Sequence, residues 1–248
     1  MTINKIRQKH PLIHCITNYV VANFTANGLL AIGASPVMAD EVSEVEEMTS
    51  IANGLLINIG TLNQSKVPAM LVAGKAANKH GVPVVLDPVG VGATSYRRQV
   101  IQDLLQQVQF KLIRCNEGEL AAIAGVAWQS KGVDSGQGNI DTISVAREVA
   151  EKYGTIVIVT GATDIVTDGT VVKKVSGGHE RMTHVTGSGC LLSALCTAAL
   201  AVEGEPVANL ASLLQTYKKI AEDAERNSTY IGSFQVEIVN GLEKYSKG

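Results

Sequence analysis

The sequence predicts an α/β fold in three layers: a mostly parallel central sheet, helices on both of its faces, and an antiparallel hairpin at one edge. Three observations lead there. Short β-branched runs alternate with longer segments of helical period, the pattern of repeated strand–helix–strand units. The runs are apolar throughout and not only at every second residue, so each strand is buried on both faces, as in parallel sheets covered on either side. One segment breaks the alternation with Asp168-Gly169 between two β-rich arms, a signal for a hairpin with a type I′ turn.

In chain order, the strands are expected at LLINIG (55–60), VPVVLDPVG (82–90), FKLIRCN (110–116) and TIVIVTG (155–161). Helical segments separate them, among them Gln64–His80 and Thr142–Tyr153. KGVDSGQGNID (131–141) reads as a surface loop ending in Asp141, a helix N-cap. After the hairpin DIVTDGTVVKKV the chain is helical to its end, through LLSALCTAALAVEG, PVANLASLLQTYKKIAEDAERN and GSFQVEIVNGLEKYSK. No linker, repeat or low-complexity tract divides these parts, so residues 1–248 are expected to form a single domain.

Composition narrows the function. Of 248 residues, 46% are hydrophobic, enough for a substantial core, and only 4% are aromatic. With 21 Lys+Arg against 23 Asp+Glu scattered along the chain, no basic stripe is present to release counterions from a polyanion. Nucleic acid and membrane surfaces are therefore not expected partners. The start MTINKIRQKHPLIHCITNYV carries no long apolar run, and no stretch approaches the ~18 apolar residues of a spanning helix, so a soluble, cytoplasmic protein is expected. Cys15, Cys115, Cys190 and Cys196 form no CxxC pair and are expected as reduced thiols. HERMTH places Thr183 where a zinc-binding HExxH needs its second histidine.

In open parallel sheets, ligands bind beyond the carboxyl ends of the strands. After PVVL comes DPVGVGAT, where Asp87 leaves the strand and Gly90 and Gly92 admit backbone close to a ligand. After FKLIR comes CNEGE, with Asn116, Glu117 and Glu119 opening a helix. Helix capping alone accounts for acidic residues there. Asp87, Asn116 and Glu119 nevertheless all fall at strand ends, and converging oxygen ligands suit Mg2+. Arg114, just before them, can pair with phosphate oxygens or make an ordinary salt bridge. Thr160 and Gly161 end another strand on the same edge.

The stretch THVTGSGCLLSALC places Thr186, Gly187, Ser188, Gly189 and Cys190 ahead of a Leu/Ala-rich helix. The first N–H groups of a helix have no internal partner, and glycines let an anion reach them. Such a loop stabilises charge on a transferring phosphoryl group through fixed dipoles. The same position is expected to lower the Cys190 thiol pKa below its usual value of about 8.5. Cys196, about 240° further around the helix, reads as core. Neither GxxxxGK[ST] nor a GxGxxG following a strand is present, so P-loop and dinucleotide readings lack their fingerprints.

With DPVGVGAT, NEGE, VTG and VTGSGC, and ITNYVVANFTANGLLAIGASPVMAD near the start, essentially the whole chain resembles the ribokinase-like superfamily and, within it, the hydroxyethylthiazole kinase family. The resemblance implies ATP-dependent phosphorylation of a thiazole alcohol, 4-methyl-5-(2-hydroxyethyl)thiazole, in thiamine salvage. It also implies Mg2+ and a homotrimer with active sites between subunits. Carried over by position, Asn23 and Met38 would contact the thiazole and Gly187 the substrate side of the anion hole. Arg114, Thr160, Ser188 and Gly189 would serve the nucleotide, and Asp87, Asn116 and Glu119 the metal and phosphates. Cys190 stands where most ribokinase-like enzymes carry an aspartate base, and a thiol is the poorer proton acceptor. A kinase for a hydroxymethylpyrimidine or other vitamin-precursor alcohol would share the phosphate residues. An acyl-transfer enzyme using Cys190 with His184, and a catalytically weak ligand sensor, are the readings from other classes.

Overall fold

The computed structural model describes residues 1–127 and 140–248. The chain runs α1 (Thr2–Lys9), β1 (Leu12–Ile16), α2 (Ala22–Ala31), β2 (Ser35–Val37), α3 (Val45–Ile51), β3 (Gly54–Asn58), α4 (Lys66–His80), β4 (Val84–Asp87) and α5 (Ser95–Gln107). It continues through β5 (Leu112–Asn116), α6 (Glu117–Ala124), α7 (Thr142–Tyr153), β6 (Ile156–Thr160), β7 (Thr163–Thr167) and β8 (Val172–Ser176). A 3-10 turn (Glu180–His184) then leads into α8 (Ser188–Leu200), α9 (Pro206–Asn227) and α10 (Ile231–Lys247). Among the described residues the strands form one sheet of order β2-β1-β3-β4-β5-β6-β7-β8. The pairings from β2 through β6 are parallel, while β7 is antiparallel to both β6 and β8.

Successive residues of a strand point to opposite faces, and the two apolar cores divide on that rule. Leu56, Val85, Leu112, Ile156 and Ile158 pack with α1, α2 and α8–α10. Their neighbours Leu55, Ile57, Val84, Leu86, Ile113, Val157 and Val159 pack with α4, α5 and α7. The sheet is thus a middle layer, as its uniformly apolar strands require. The same alternation, continued one or two residues past these core positions, turns Asn58, Asp87, Arg114 and Thr160 toward α8. Register sets Asn58 beside Asp87, and Asn116 beside Thr160, across neighbouring strands.

The four expected strands are present, three of them trimmed and β3 shifted to Gly54–Asn58, and the helix expected from Gln64 begins at Lys66. Two strands were not foreseen: β1 carries His14 in its middle, and β2 has three residues with Pro36 at the centre. The hairpin arms are correct, but the turn is not type I′. Residues 168–171 connect β7 to β8, and Asp168 Oδ1 accepts from the N–H groups of Thr170 (2.9 Å) and Val171 (2.8 Å). This side-chain turn competes successfully with the tight backbone turn. The expected loop at 131–141 lies outside the described residues up to 139, while Asp141 caps α7 by accepting from Ser144 N–H at 3.3 Å. At the sheet's outer margins, β2 is short and β8 exposes Lys173 and Lys174.

Candidate active site

Asp87 is fully buried at the end of β4. Its Oδ2 accepts from Asn58 Nδ2 (2.7 Å) at the end of β3 and from Ser193 Oγ (2.9 Å) in the second turn of α8. Its Oδ1 has no hydrogen-bond partner and faces Arg114 Nη1 at 3.8 Å; Arg114 Nε is likewise buried and unpaired. Burial pushes the Asp87 carboxyl above its ordinary range, against the pull of Arg114, Ser193 and Asn58. Burial also works against the Arg114 charge, but Asp87 and Glu119 outweigh it and keep the guanidinium protonated. Orphaned polar atoms are rare inside proteins, and here two of them belong to one ion pair, which makes it a candidate place for a ligand.

Asn116 and Glu119 are tied to each other. Asn116 Oδ1 accepts from Glu119 N–H (2.8 Å) while Glu119 Oε2 accepts from Asn116 N–H (2.9 Å), a capping box that starts α6. Glu119 Oε1 also takes the N–H of Gly90 at 2.9 Å, fastening the loop after β4 to this helix. Burial, and then the charge of Asp87, raise the Glu119 carboxyl. Two carboxylates in a shared buried region suit a cation, and the free Oδ1 of Asp87 is the donor left over for it. Among the described residues no three His, Cys, Asp or Glu side chains close around a common point.

Across the rim, α8 begins with Gly187 in the left-handed conformation (φ 87°) and has no side-chain cap. Among the described residues no acceptor meets the N–H of Gly189 or Cys190. Ser188 braces the turn, its Oγ donating to Met182 O (2.8 Å) and its carbonyl accepting from Tyr217 Oη (2.9 Å). A Cβ on Gly189 would lie 2.8 Å from Arg114 Nη1, so only glycine lets the guanidinium lie against this turn. Arg114 Nη2 donates to Thr160 Oγ1 at 2.6 Å, bringing β5, β6 and α8 to one point.

Cys190 is half-buried beside this point, and its sulfur accepts from Asn18 Nδ2 at 3.7 Å. Asn18 Nδ2 also donates to Asn58 Oδ1 (2.9 Å), so an amide chain joins the thiol to Asp87. The expectation of a lowered Cys190 pKa is overturned. Burial, and then the charge of Asp87, push the thiol up to about 12, against the pull of Asn58, Arg114 and Asn18. His184 is exposed and makes no hydrogen bond to Cys190 among the described residues, so the acyl-transfer pair does not form. Cys196 is fully buried in the core, as its helical position implies.

Two of the sequence-derived residues stand apart from this centre. Met38 follows β2 and packs partly buried against the core shared with α8. Asn23 accepts from Asn27 Nδ2 (3.0 Å) and lines an open groove of about 520 Å3 with Gln235 and Val236 of α10. It is Asn18, not singled out in the sequence, that reaches Cys190. Asn58 and Ser193 were missed too. Asn58 closes β3 as Asp87 closes β4, so strand parity marks it; Ser193 follows Gly189 by one helical turn.

The comparisons decide the family. The model of the hydroxyethylthiazole kinase family matches residues 3–247. The chain belongs to that family. It is 56% identical over 247 residues to a hydroxyethylthiazole kinase of Lysinibacillus sphaericus, covering 100% of this chain and 97% of that relative. A solved hydroxyethylthiazole kinase of Pyrococcus horikoshii is similar with a TM-score of 0.89 at 38% identity, over 98% of this chain and 91% of that one. A ribokinase-like superfamily protein of Enterococcus faecalis, at 11% identity and a TM-score of 0.71 over 98% of this chain and 90% of that one, shares the fold.

Proposed function

We propose that the chain transfers the terminal phosphoryl group of ATP to the hydroxyl of 4-methyl-5-(2-hydroxyethyl)thiazole, a step of thiamine salvage. The observation that carries this reading, within a family of that name, is the open pair of N–H groups at Gly189 and Cys190 set against Arg114 and the unpartnered oxygen of Asp87. Phosphoryl transfer asks mainly for positioning and charge stabilisation. The N–H pair faces the phosphoryl oxygens, Arg114 balances their charge, and Thr160 fixes the Arg114 fork. Asp87, with Glu119 and Asn116 behind it, would hold Mg2+, which would supply neutralisation of the phosphate charge. Asn18 and Cys190 stand beside the place the alcohol would occupy, where the raised thiol pKa makes Cys190 a poor proton acceptor.

The site is proposed to be completed by a neighbouring copy in a homotrimer. Tyr19 (77% exposed) and Val20 (58%) directly follow Asn18, leaving apolar surface at its mouth for a second subunit. Asn23 and Met38 remain proposed thiazole contacts in that assembly. Among the described residues no helix is long and apolar enough to cross a membrane, and the use of ATP fits a cytoplasmic, single-domain enzyme.

The test is incubation with ATP, Mg2+ and a panel of thiazole and pyrimidine alcohols, with products identified by mass. Phosphorylated hydroxyethylthiazole is expected. A phosphorylated pyrimidine in its place transfers the reading to the related kinase, and tight binding without turnover transfers it to a sensor.

A further inference from the structure

Lys218 of α9 is a buried cation whose side chain retains 10% of its exposure. Its ammonium is surrounded by oxygens: Asp164 Oδ1 at 3.1 Å, Gly161 O at 3.2 Å, Gly177 O at 3.3 Å and Ala162 O at 3.5 Å. An ammonium has three protons, so these four oxygens are served by its charge as much as by directed hydrogen bonds. Three are backbone carbonyls from two separate turns: one is the β6–β7 connection directly after Thr160, the other the exit of β8. The same Asp164 oxygen also accepts the Gly161 N–H at 3.0 Å. Gly178 sits against the lysine stem, where a Cβ would be 3.3 Å from Lys218 Cγ. The preceding residue, Tyr217, donates to the Ser188 carbonyl at the start of α8. Two adjacent residues of α9 thus fasten the anion-binding turn and the turn behind Thr160.

A buried ion pair is a weak source of stability, because desolvation consumes most of the attraction. Its geometric effect here is specific: without the ammonium, three carbonyls and a carboxylate would face one another across the two turns. We propose that Lys218 is a positioning residue for the nucleotide, a built-in cation that holds the β6–β7 turn so that Thr160 and Gly161 keep their place in the ATP wall of the site. This rests on the assignment of Thr160 to the nucleotide.

The test is steady-state kinetics of the full chain carrying Lys218→Ala, with ATP and the thiazole varied in turn. The KM for ATP is expected to rise about tenfold with the thiazole KM unchanged and kcat within a few-fold, the size expected from losing one charge-assisted contact. Ammonium or methylammonium ions, entering the space left by the side chain, are expected to return the ATP KM toward the parent value, while the parent enzyme is indifferent to them. Lys218→Gln, one bond shorter but with two N–H donors, is expected to show a smaller rise and serves if the alanine variant does not fold. An unchanged ATP KM in a folded variant, an equal rise in both KM values, or an alanine variant deaf to the added cations would overturn the proposal. Thr160→Val is run alongside: if it raises the ATP KM and the Lys218 variants do not, only this inference falls, whereas no effect from either removes the nucleotide assignment itself.

Discussion

Two helices start on the same rim, α6 and α8, and they treat their free N–H groups in opposite ways. At α6, Asn116 and Glu119 satisfy each other's backbone, and the second Glu119 oxygen takes Gly90 N–H. At α8 the N-cap is a glycine with no side chain to offer, and the N–H groups of Gly189 and Cys190 stay open among the described residues. A helix start rich in carboxylates closes on itself and becomes structure. A bare one keeps its positive end available to an anion. Asp87 is bonded to α8 through Ser193, with one oxygen engaged and the other free.

The contrast is open to experiment. The largest effect is expected from Asp87→Asn, which removes the free carboxylate oxygen while keeping an acceptor for Asn58 and Ser193: kcat falls about a thousandfold, with thiazole binding by calorimetry little changed. A variant within a few-fold of the parent would take Asp87 out of the phosphate chemistry. Next comes Gly189→Ala, which suits a helix backbone but drives a methyl group into the Arg114 fork. A loss of about a hundredfold in kcat with an unaltered circular dichroism spectrum is expected, and a silent substitution would mean that Arg114 does not need this turn.

Glu119→Gln probes the closed helix. With one acceptor oxygen where two were used, either Gly90 or Asn116 N–H goes unpaired, at a cost of about 1–3 kcal/mol. Thermal denaturation should show a drop of several degrees and the assay a raised Mg2+ requirement, with the thiazole KM unchanged. Equal losses of metal dependence and thiazole affinity would contradict the division of roles.

The smallest change in turnover is expected from Cys190→Ser, within about tenfold, since one neutral group replaces another and general-base catalysis would be worth about 10²–10⁴. The thiol itself reports on its surroundings. With its pKa pushed up to about 12, deprotonation lies far above neutrality. Iodoacetamide should therefore label Cys190 with a rate still climbing about tenfold per pH unit at pH 10, whereas an ordinary thiol has levelled off there. A plateau near pH 8 would restore the thiolate reading.

Much of this was legible in the chain itself. The apolar runs gave four strands because burial on both faces leaves a composition that no surface segment shares. The rule that ligands gather past strand ends picked out Asp87, Arg114, Asn116 and Thr160, of which the register pairs Asn116 with Thr160. It stopped short of Asn58, which closes β3 but is followed in the sequence by Ile59, so the apolar run reads on past it. Asn18 was hidden because His14 interrupts the apolar run of β1. The Cys190 error has a different origin. A helix start is a local feature, readable from glycines, while burial and the neighbouring Asp87 come from an element a hundred residues away, and those dominate. Asp168-Gly169 misled through the aspartate, whose side chain could build a turn of its own.

The two margins of the sheet carry a final consequence. Proline at the centre of β2 removes a backbone donor, and the paired lysines of β8 bring positive charge to the opposite border. Both features discourage another polypeptide from docking as a ninth strand. Both borders thereby resist extension of the sheet from one chain to the next.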